Sequence, residues 1–407
     1  MHNDREDIWF TWNTPRDNAV PPGIFFDETL RDGLQAANIP IPTLEQKLRI
    51  VDHMARCGIR CADLGFPGSS PQARQECTEL ARHIAACGYP IVPGYAGRTH
   101  PADIEAIRAV AQDAGSSVDA YLFIGVSPIR QYVEDWSLPA ILGNIRDSAA
   151  ACERDGLEFV LVLEDTVRCT PDVLRQVYDT AIDVGVRRVT LCDTVGAATP
   201  EGTRSLILWS AEYFTDRGHP VGLEWHGHND RGLALANSLT ALEAGCVRVH
   251  GTILGVGERA GNTSLDQLLL NSHLFAHERH DLLALREYCE YAATVLEIDV
   301  PENYPAMGRD VFKTSAGVHA TAILKAHEKG DVAVKDSVYS GVPASLLGRQ
   351  QEVLIDSSSG ANNVRYWLTA NGFAQDDKVI RKVLETAKAD RNPLDDERIR
   401  SIIATVN

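Results

Sequence analysis

Two histidines with a spacing suited to metal binding stand in the segment EWHGHND, residues 224–230. His226 and His228 are two residues apart and follow the apolar run VGL, which is typical of a β-strand. On a strand, side chains two apart point to the same face, so the two imidazoles would lie together at its end. A pair of this kind is also compatible with two structural histidines, and the rest of the chain must decide between these interpretations.

Eight strand-like segments alternate with amphipathic stretches and would position these histidines. They cover residues 23–30, 61–66, 89–96, 118–126, 159–165, 187–193, 221–228 and 247–255. The intervening stretches carry helix signals, such as the capping box of Thr43 and Gln46 at the start of the first one. This alternation predicts a (β/α)8 TIM barrel. A doubly wound open sheet is the alternative, although the first strand is not followed by the glycine-rich phosphate-binding turn usual in such sheets.

The pattern divides the chain into three regions. Residues 1–22 form an N-terminal extension, residues 23–275 the catalytic barrel, and residues 276–407 mostly helical C-terminal subdomains. A net charge of −17 argues against a nucleic-acid partner or an anionic membrane surface. The N-terminus lacks the apolar stretch of a secretory signal, and no apolar run has the length of a membrane span. We therefore expect a cytoplasmic protein that acts on small molecules and has no nucleic-acid or membrane partner.

Polar residues gather where the predicted strands end, which is the rim that carries the active site of a TIM barrel. They are Arg31 and Asp32 after the first strand, Glu164 and Asp165 after the fifth, Asp193 and Thr194 after the sixth, and Glu258 and Asn262 in the loop after the eighth. This gathering favours the metal interpretation, with Asp32 as a third ligand beside His226 and His228. One carboxylate and two imidazoles suit Zn, Mn, Co or Mg and leave positions open for a substrate. A 2-oxo acid could chelate such an ion, which would polarise its keto group.

Three motifs, in order and in register, resemble one enzyme family. FDETLRDGLQ, HGHNDRGLALAN and GVGERAGN are similar to the signatures of the 2-isopropylmalate synthase, homocitrate synthase and citramalate synthase family, over residues 20–350. The resemblance implies a metal-dependent, Claisen-type condensation of acetyl-CoA, as co-substrate, with a 2-oxo acid. Thioester hydrolysis would then release CoA and a 2-alkylmalate-type acid. Such an enzyme is an acyltransferase that converts the acyl group into an alkyl group on transfer.

The resemblance also implies roles for individual residues on the barrel. Arg31 matches the arginine that stabilises the keto or enolate oxygen, and Thr194 matches the residue that holds the carboxylate of the 2-oxo acid. The other matches are Gln35 and Glu164 in the pocket, Asn262 in or near the metal shell, and Glu258 in an acid/base relay.

Two C-terminal segments match family segments that reach the active site of a neighbouring subunit. SAGVHATAIL supplies His319 and VYSGVPASLLGR supplies Tyr339. The resemblance therefore implies a homodimer with exchanged C-terminal regions. Glu258, His319 and Tyr339 are the candidates that would together remove a proton from acetyl-CoA. Without the motifs around them, His319 and Tyr339 would be interpreted as surface or packing residues.

The side chain of the 2-oxo acid depends on the segment AYLFIGVSPIRQ. Tyr121 and Arg130 stand where isopropylmalate-type relatives have histidines. Arg130 could pair with the distal carboxylate of 2-oxoglutarate or with the phosphonate of phosphonopyruvate, because its fork suits both groups. We therefore favour a 2-oxo acid with an anionic tail, with 2-isopropylmalate synthase or citramalate synthase activity as the alternative. The other interpretation of Arg130 is a solvated loop arginine.

Two other classes of function compete with a condensing enzyme. A carbon–carbon lyase or aldolase on the same barrel would share the Arg-Asp and His-x-His pieces. Lyases of the hydroxymethylglutaryl-CoA type carry a cysteine in the glycine-rich loop, and residues 255–262 contain none. A non-catalytic binding protein would be expected to have lost some of the metal ligands, all of which are present in this chain.

Overall fold

The computed structural model describes residues 24–275 and 279–406, together with Ile8, Trp9 and Trp12. The chain divides into two compact units, Met1–Ile298 and Asp299–Asn407. Apart from those three residues, the predicted extension over 1–22 lies outside the described residues. The same holds for residues 276–278, with which the predicted C-terminal region begins.

Eight parallel strands close into a barrel in the first unit. They are β1 (Ile24–Asp27), β2 (Cys61–Asp63), β3 (Val92–Arg98), β4 (Asp119–Gly125), β5 (Glu158–Glu164), β6 (Arg188–Asp193), β7 (Gly222–Gly227) and β8 (Arg248–Gly251). Consecutive strands pair in order, and β8 pairs with β1 to complete the ring. This closure confirms the predicted (β/α)8 barrel and excludes the open sheet. β1 and β8 are shorter than predicted because the chain leaves the sheet after Asp27 and after Gly251.

Helices connect the strands and follow the last of them. They are α1 (Leu44–Arg56), α2 (Pro71–Cys87), α3 (Pro101–Ala114), α4 (Pro128–Glu134), α5 (Leu138–Asp155), α6 (Pro171–Asp183), α7 (Pro200–Asp216), α8 (Ala234–Glu243), α9 (Leu265–Phe275) and α10 (Leu282–Val295). The predicted capping box at the start of α1 is confirmed. The Gln46 amide donates to the Thr43 hydroxyl at 3.3 Å, and the Thr43 amide donates to the Gln46 side chain at 2.8 Å.

The interior of the barrel contains a cluster of paired charges. Glu224 of β7 is fully buried, and two residues of β8 contact its carboxylate: Arg248 at 3.3 Å and His250 at 3.0 Å. Arg188 of β6 contacts it at 3.4 Å. Most TIM barrels are filled instead by bulky branched apolar residues. Because a buried charge without a partner is strongly destabilising, these groups depend on one another.

Asp27, the last residue of β1, ties the barrel to α10 through a buried carboxyl group. Its Oδ1 accepts a hydrogen bond from the Thr29 amide at 2.8 Å, and its Oδ2 accepts one from the Tyr288 hydroxyl at 2.9 Å. Burial raises the pKa of Asp27 to about 6, although these hydrogen bonds act in the opposite direction. The ionised carboxylate is therefore less favourable in the folded protein than in the unfolded chain.

Replacing Asp27 with asparagine is expected to stabilise the protein at pH 8. Folding raises the pKa of this carboxyl group. The native state therefore loses stability as the pH rises from the ordinary pKa of an aspartate to the folded value of about 6. The gap corresponds to about 3 kcal/mol, and an amide can still bond to Thr29 and Tyr288. Urea unfolding should show the gain at pH 8 and little gain at pH 4. The same change at the exposed Asp113 is the control; a D27N variant no more stable than the wild type at pH 8 would contradict the prediction.

The second unit is mostly helical, as predicted. Its helices are α11 (Gly317–Glu328), α12 (Val332–Ser337), α13 (Ala361–Ala370), α14 (Asp377–Ala389) and α15 (Asp396–Val406). Val364, Leu368 and Val383 belong to its buried core. A parallel pair of two-residue strands, β9 (Lys313–Thr314) and β10 (Glu352–Val353), was not predicted, because segments this short leave no periodic signal. Among the helices described in either unit, none is both long and apolar enough to cross a membrane.

Candidate active site

Three side chains at the rim of the barrel converge on one point. Asp32 Oδ2 lies 3.4 Å from His226 Nε2 and 3.6 Å from His228 Nε2, and the two Nε2 atoms are 3.2 Å apart. Ligand atoms about 2.1 Å from one ion are about 3.0–3.4 Å from each other at octahedral to tetrahedral angles. All three residues are buried. The triangle therefore fits a divalent ion held by the predicted ligand set.

Asn262, from the loop after β8, supports this ligand set from beside Asp32. Its Nδ2 donates to Asp32 Oδ2 at 2.7 Å. Its Oδ1 is buried and has no hydrogen-bond partner among the described residues, so it is available to an ion or to a bound water. The loop approaches Asn262 so closely that a Cβ atom on Gly257 would overlap Oδ1. This contact explains one glycine of the GVGERAGN motif.

Glu28 orients the imidazole of His226. Its Oε2 lies 2.7 Å from His226 Nδ1; because a carboxylate only accepts, Nδ1 carries the proton and Nε2 presents its lone pair to the centre. Burial acts to raise the pKa of Glu28, but the charges of Arg31, His226 and His250 hold it well below its usual value. Burial and the neighbouring His226 lower the pKa of His228 to about 4, so this imidazole is neutral at physiological pH.

Asp32, His226 and His228 line a cavity of about 310 Å³. Eight predicted site residues line it, namely Arg31, Asp32, Gln35, Glu164, Thr194, His226, His228 and Glu258. Four apolar side chains form another part of its lining, namely Phe66, Ala96, Phe123 and Val162. The cavity thus joins a polar rim to an apolar wall.

Arg31 brings a fixed positive charge to the cavity. Its guanidinium group contacts Glu28 at 2.7 Å, Asp63 at 3.0 Å and Asp32 at 3.6 Å. Burial acts to lower the pKa of Arg31, but these three carboxylates raise it well above its ordinary value. Burial also raises the pKa of Asp63 to about 7, against the effect of Arg31. A guanidinium held in this way can stabilise negative charge that develops on a nearby oxygen.

Thr194 follows β6 and presents a hydroxyl group to the cavity. Its Oγ1 accepts a hydrogen bond from the Asp165 amide at 2.8 Å, so its own proton can be donated to a bound carboxylate. Asp165 has a φ of 61°, in the left-handed region that is unfavourable for a residue with a Cβ atom. The Asp165 carboxylate accepts hydrogen bonds from Arg168 Nε at 2.7 Å and from the Ser127 hydroxyl at 2.5 Å. Backbone strain beside Thr194 is thus maintained by contacts of the buried Asp165 carboxylate.

Arg130 contacts the site through Glu164. Its Nε lies 3.1 Å from Glu164 Oε1, and its Nη1 lies 3.1 Å from Glu134 Oε1. Burial raises the pKa of Glu164, with Arg130 acting in the opposite direction. Arg130 is not among the described residues that line the cavity, and two carboxylates already balance its charge.

Gln35 and Glu258 line the cavity from outside the strands. Gln35 ends a short 3₁₀ turn, Gly33–Gln35, that follows Asp32. Glu258 lies in the loop after β8, and 56% of its side chain is exposed. It contacts Arg259 at 3.4 Å. Glu258 is therefore the most solvent-accessible of the predicted acid/base groups on the barrel.

His319 and Tyr339 belong to the second unit and lie against one another. Their rings stack with centroids 3.9 Å apart. His319 is exposed on α11, and Tyr339 is 44% exposed just after α12. Val318 and Val338, beside them in the chain, are also exposed. The pair thus forms an aromatic surface with apolar neighbours.

Glu28, Glu224 and His250 were missed in the sequence. Glu28 contacts His226, and His250 lies between Glu28 and Glu224, with its two ring nitrogens 3.2 Å and 3.0 Å from their carboxylates. The signal was present for Glu224, which precedes His226 by two residues and so shares its face of β7. The signal for His250 was the inward alternation of β8.

Comparisons with known proteins find a matching family model, related sequences and a solved structure of similar fold. A family model described as HMGL-like matches residues 23–295. The 2-isopropylmalate synthase of Sediminispirochaeta smaragdinae is 30% identical over 404 residues, which cover 94% of this chain and 75% of that one. The homocitrate synthase of Methanothermobacter thermautotrophicus is 28% identical over 393 residues, covering 94% and 93%. The solved HMG-CoA lyase of Bacillus subtilis is similar in fold, with a TM-score of 0.57 at 19% identity over 69% of this chain and 96% of the lyase.

Proposed function

Because this chain belongs to the HMGL-like family, we propose that it is an acyltransferase that condenses acetyl-CoA with a 2-oxo acid. Its similarity to 2-isopropylmalate and homocitrate synthases over most of its length supports this reaction. The observation that carries the proposal is the convergence of Asp32, His226 and His228 at a cavity that Arg31 and Thr194 also line.

The reaction forms one carbon–carbon bond and breaks one thioester. A proton leaves the methyl group of acetyl-CoA, the methyl carbon bonds to the keto carbon, and the keto oxygen becomes a hydroxyl group. Water then cleaves the thioester, which yields a carboxylate and the free thiol of CoA. A divalent ion held by Asp32, His226 and His228 would polarise the keto group as a Lewis acid. Zn, Mn, Mg and Co all suit this mixed ligand set.

The residues of the cavity divide the remaining tasks. Arg31 stabilises negative charge on the keto oxygen, and the Thr194 hydroxyl donates to the carboxylate of the 2-oxo acid. Gln35 offers its amide to the same substrate. Burial raises the pKa of Glu164, which favours its protonated form and suits it to proton transfer. Glu258 exchanges protons between the cavity and solvent.

His319 and Tyr339 act in the active site of a neighbouring subunit, which makes the protein a homodimer with exchanged C-terminal regions. Their motifs and their surface support this part of the proposal. Both residues are exposed and stacked, and the exposed Val318 and Val338 flank them, as expected for a surface that another chain covers. In that site, the two residues act with Glu258 in removing the proton from acetyl-CoA.

The lining of the cavity favours a 2-oxo acid with an uncharged side chain. Phe66, Phe123 and Val162 offer an apolar wall, and Arg31 is the single arginine or lysine among the described lining residues. This corresponds to an activity like that of 2-isopropylmalate or citramalate synthase. The anionic tail expected from Arg130 is the second candidate, since this guanidinium lies 3.1 Å from the lining residue Glu164.

A panel of substrates tests both levels of the proposal. Purified protein with a divalent metal and acetyl-CoA should release free thiol when a 2-oxo acid is added. We expect 2-oxoisovalerate or pyruvate to be used with a kcat/KM at least ~10-fold higher than 2-oxoglutarate, oxaloacetate or phosphonopyruvate. The reason is that a second carboxylate without a partner in a buried site costs at least ~1.4 kcal/mol.

The outcomes of this panel are distinct. A preference for the anionic substrates, lost in an Arg130→Ala variant, would reject the uncharged tail and assign the tail carboxylate to Arg130. Absence of thiol release with every 2-oxo acid would reject the condensation. Cleavage of hydroxymethylglutaryl-CoA in the same preparation would then identify a lyase.

A further inference from the structure

One buried carboxylate contacts both the candidate metal site and the candidate oxyanion group. Glu28 follows β1 directly and is 2% exposed. Its Oε2 accepts from His226 Nδ1 at 2.7 Å, and its Oε1 accepts from Arg31 Nη2 at 2.7 Å. His226 is a proposed metal ligand and Arg31 the proposed stabiliser of the keto oxygen. Glu28 therefore joins the two parts of the site by hydrogen bonds, beside the longer ion pair of 3.6 Å between Arg31 and Asp32.

The contacts restrict each partner differently. A hydrogen bond at Nδ1 fixes both the proton and the plane of the His226 ring, which aims Nε2 at Asp32 Oδ2, 3.4 Å away. The Arg31 guanidinium uses one edge for Glu28 and its Nε for Asp63, at 3.0 Å. Its direction is thus set by two carboxylates. Only Glu28 has a hydrogen bond to both His226 and Arg31 among the described residues.

Glu28 is itself fixed from inside the barrel. His250 Nδ1 lies 3.2 Å from Glu28 Oε1, and His250 Nε2 lies 3.0 Å from Glu224 Oε2. The Phe26 ring packs on the imidazole of His250, with centroids 4.6 Å apart. A buried carboxylate that accepts from three donors has little freedom to rotate.

We propose that Glu28 is a positioning residue that aligns the ring of His226 with the guanidinium of Arg31, so that metal affinity and activation of the keto group depend on the same carboxylate. The second half of this statement rests on the proposed function. The first half concerns metal binding alone. It can be tested on protein without substrate.

The test compares Glu28→Gln with a matched control, Asp63→Asn. Both variants remove a carboxylate from Arg31, but only the first changes the partner of His226. Isothermal titration of the metal-free proteins with Co²⁺ should show about 10- to 100-fold weaker binding for E28Q, the range typical of lost partners of metal-bound histidines. D63N should bind as the wild type does. The visible absorption of bound Co²⁺ should change in E28Q and not in D63N, which a loss of stability would not produce.

The results distinguish this proposal from the proposed function. Co²⁺ affinity and spectrum of E28Q equal to those of the wild type, or an equal loss in D63N, would overturn the role of Glu28. If E28Q does not fold, Glu28→Asp replaces it in the test, since the shorter side chain cannot reach both partners. Wild-type Co²⁺ affinity in E28D would also overturn the role of Glu28. A wild-type protein that binds Co²⁺ but condenses no 2-oxo acid would reject the proposed function and leave this comparison valid.

Discussion

Replacing His228 with alanine is expected to remove both metal binding and turnover. The change leaves Asp32 and His226 as two ligands where three converge within 3.2–3.6 Å. A Lewis acid at a developing alkoxide is worth several kcal/mol, and each 1.36 kcal/mol is a factor of ten in rate. We therefore expect kcat to fall at least ~1,000-fold. Calorimetric titration with Zn²⁺ or Co²⁺ and the thiol-release assay would measure the two effects separately.

A second histidine variant serves as the control for a general loss of folded structure. His219, near the end of α7, bonds to the Val186 carbonyl at 2.9 Å and does not line the cavity. His219→Ala should keep wild-type metal affinity and activity. Chelation of the wild-type protein should reproduce the H228A defect, and added metal should reverse it. An H228A variant with full activity would reject the metal assignment.

Mixing two inactive variants is expected to restore activity if the active site is shared between subunits. In a heterodimer of His226→Ala and His319→Ala chains, one site carries both defects and the other carries neither. Isolated heterodimers, purified through two different tags, should therefore show about half of the wild-type activity per dimer, as two-fold symmetry requires. Light scattering would establish the dimer, and the thiol-release assay the recovery.

The matched control places both defects on the barrel. In a heterodimer of His226→Ala and Asp32→Ala chains, each site has lost one ligand, so no activity should return. Activity in this control would show that segments other than the C-terminal regions are exchanged between the subunits. Failure of the H226A/H319A pair to recover, in a verified heterodimer, would reject the exchanged arrangement.

The architecture and the convergence of Asp32, His226 and His228 could be predicted because both follow from spacing along the chain. The alternation of strand-like segments with amphipathic stretches identified the strands, and the spacing of two residues placed His226 and His228 on one face at the end of β7. The position of Asp32 followed from the closure of the barrel, which brings β1 near β7 through β8. These inferences needed only the regular geometry of strands.

The support of the site could not be predicted from spacing in the same way. Glu28 meets His226 across 198 positions of sequence, and His250 meets Glu28 across 222. Such pairs depend on side-chain directions just beyond the strand ends, where alternation no longer applies. Arg130 illustrates the same limit: its position after β4 was visible, but its ion pairs with Glu164 and Glu134 decide where its charge acts.

The charged interior of the barrel constrains how this sequence can diverge. Glu224 shares its carboxylate among Arg188, Arg248 and His250, and Arg248 also bonds to the hydroxyl of Tyr121. Losing Glu224 would take a shared carboxylate from Arg188, Arg248 and His250 at once, which is costly for buried charges. Single substitutions within this cluster are therefore expected to be destabilising. These residues should be exchanged as a set, and a designer who wants an apolar barrel core should replace them together.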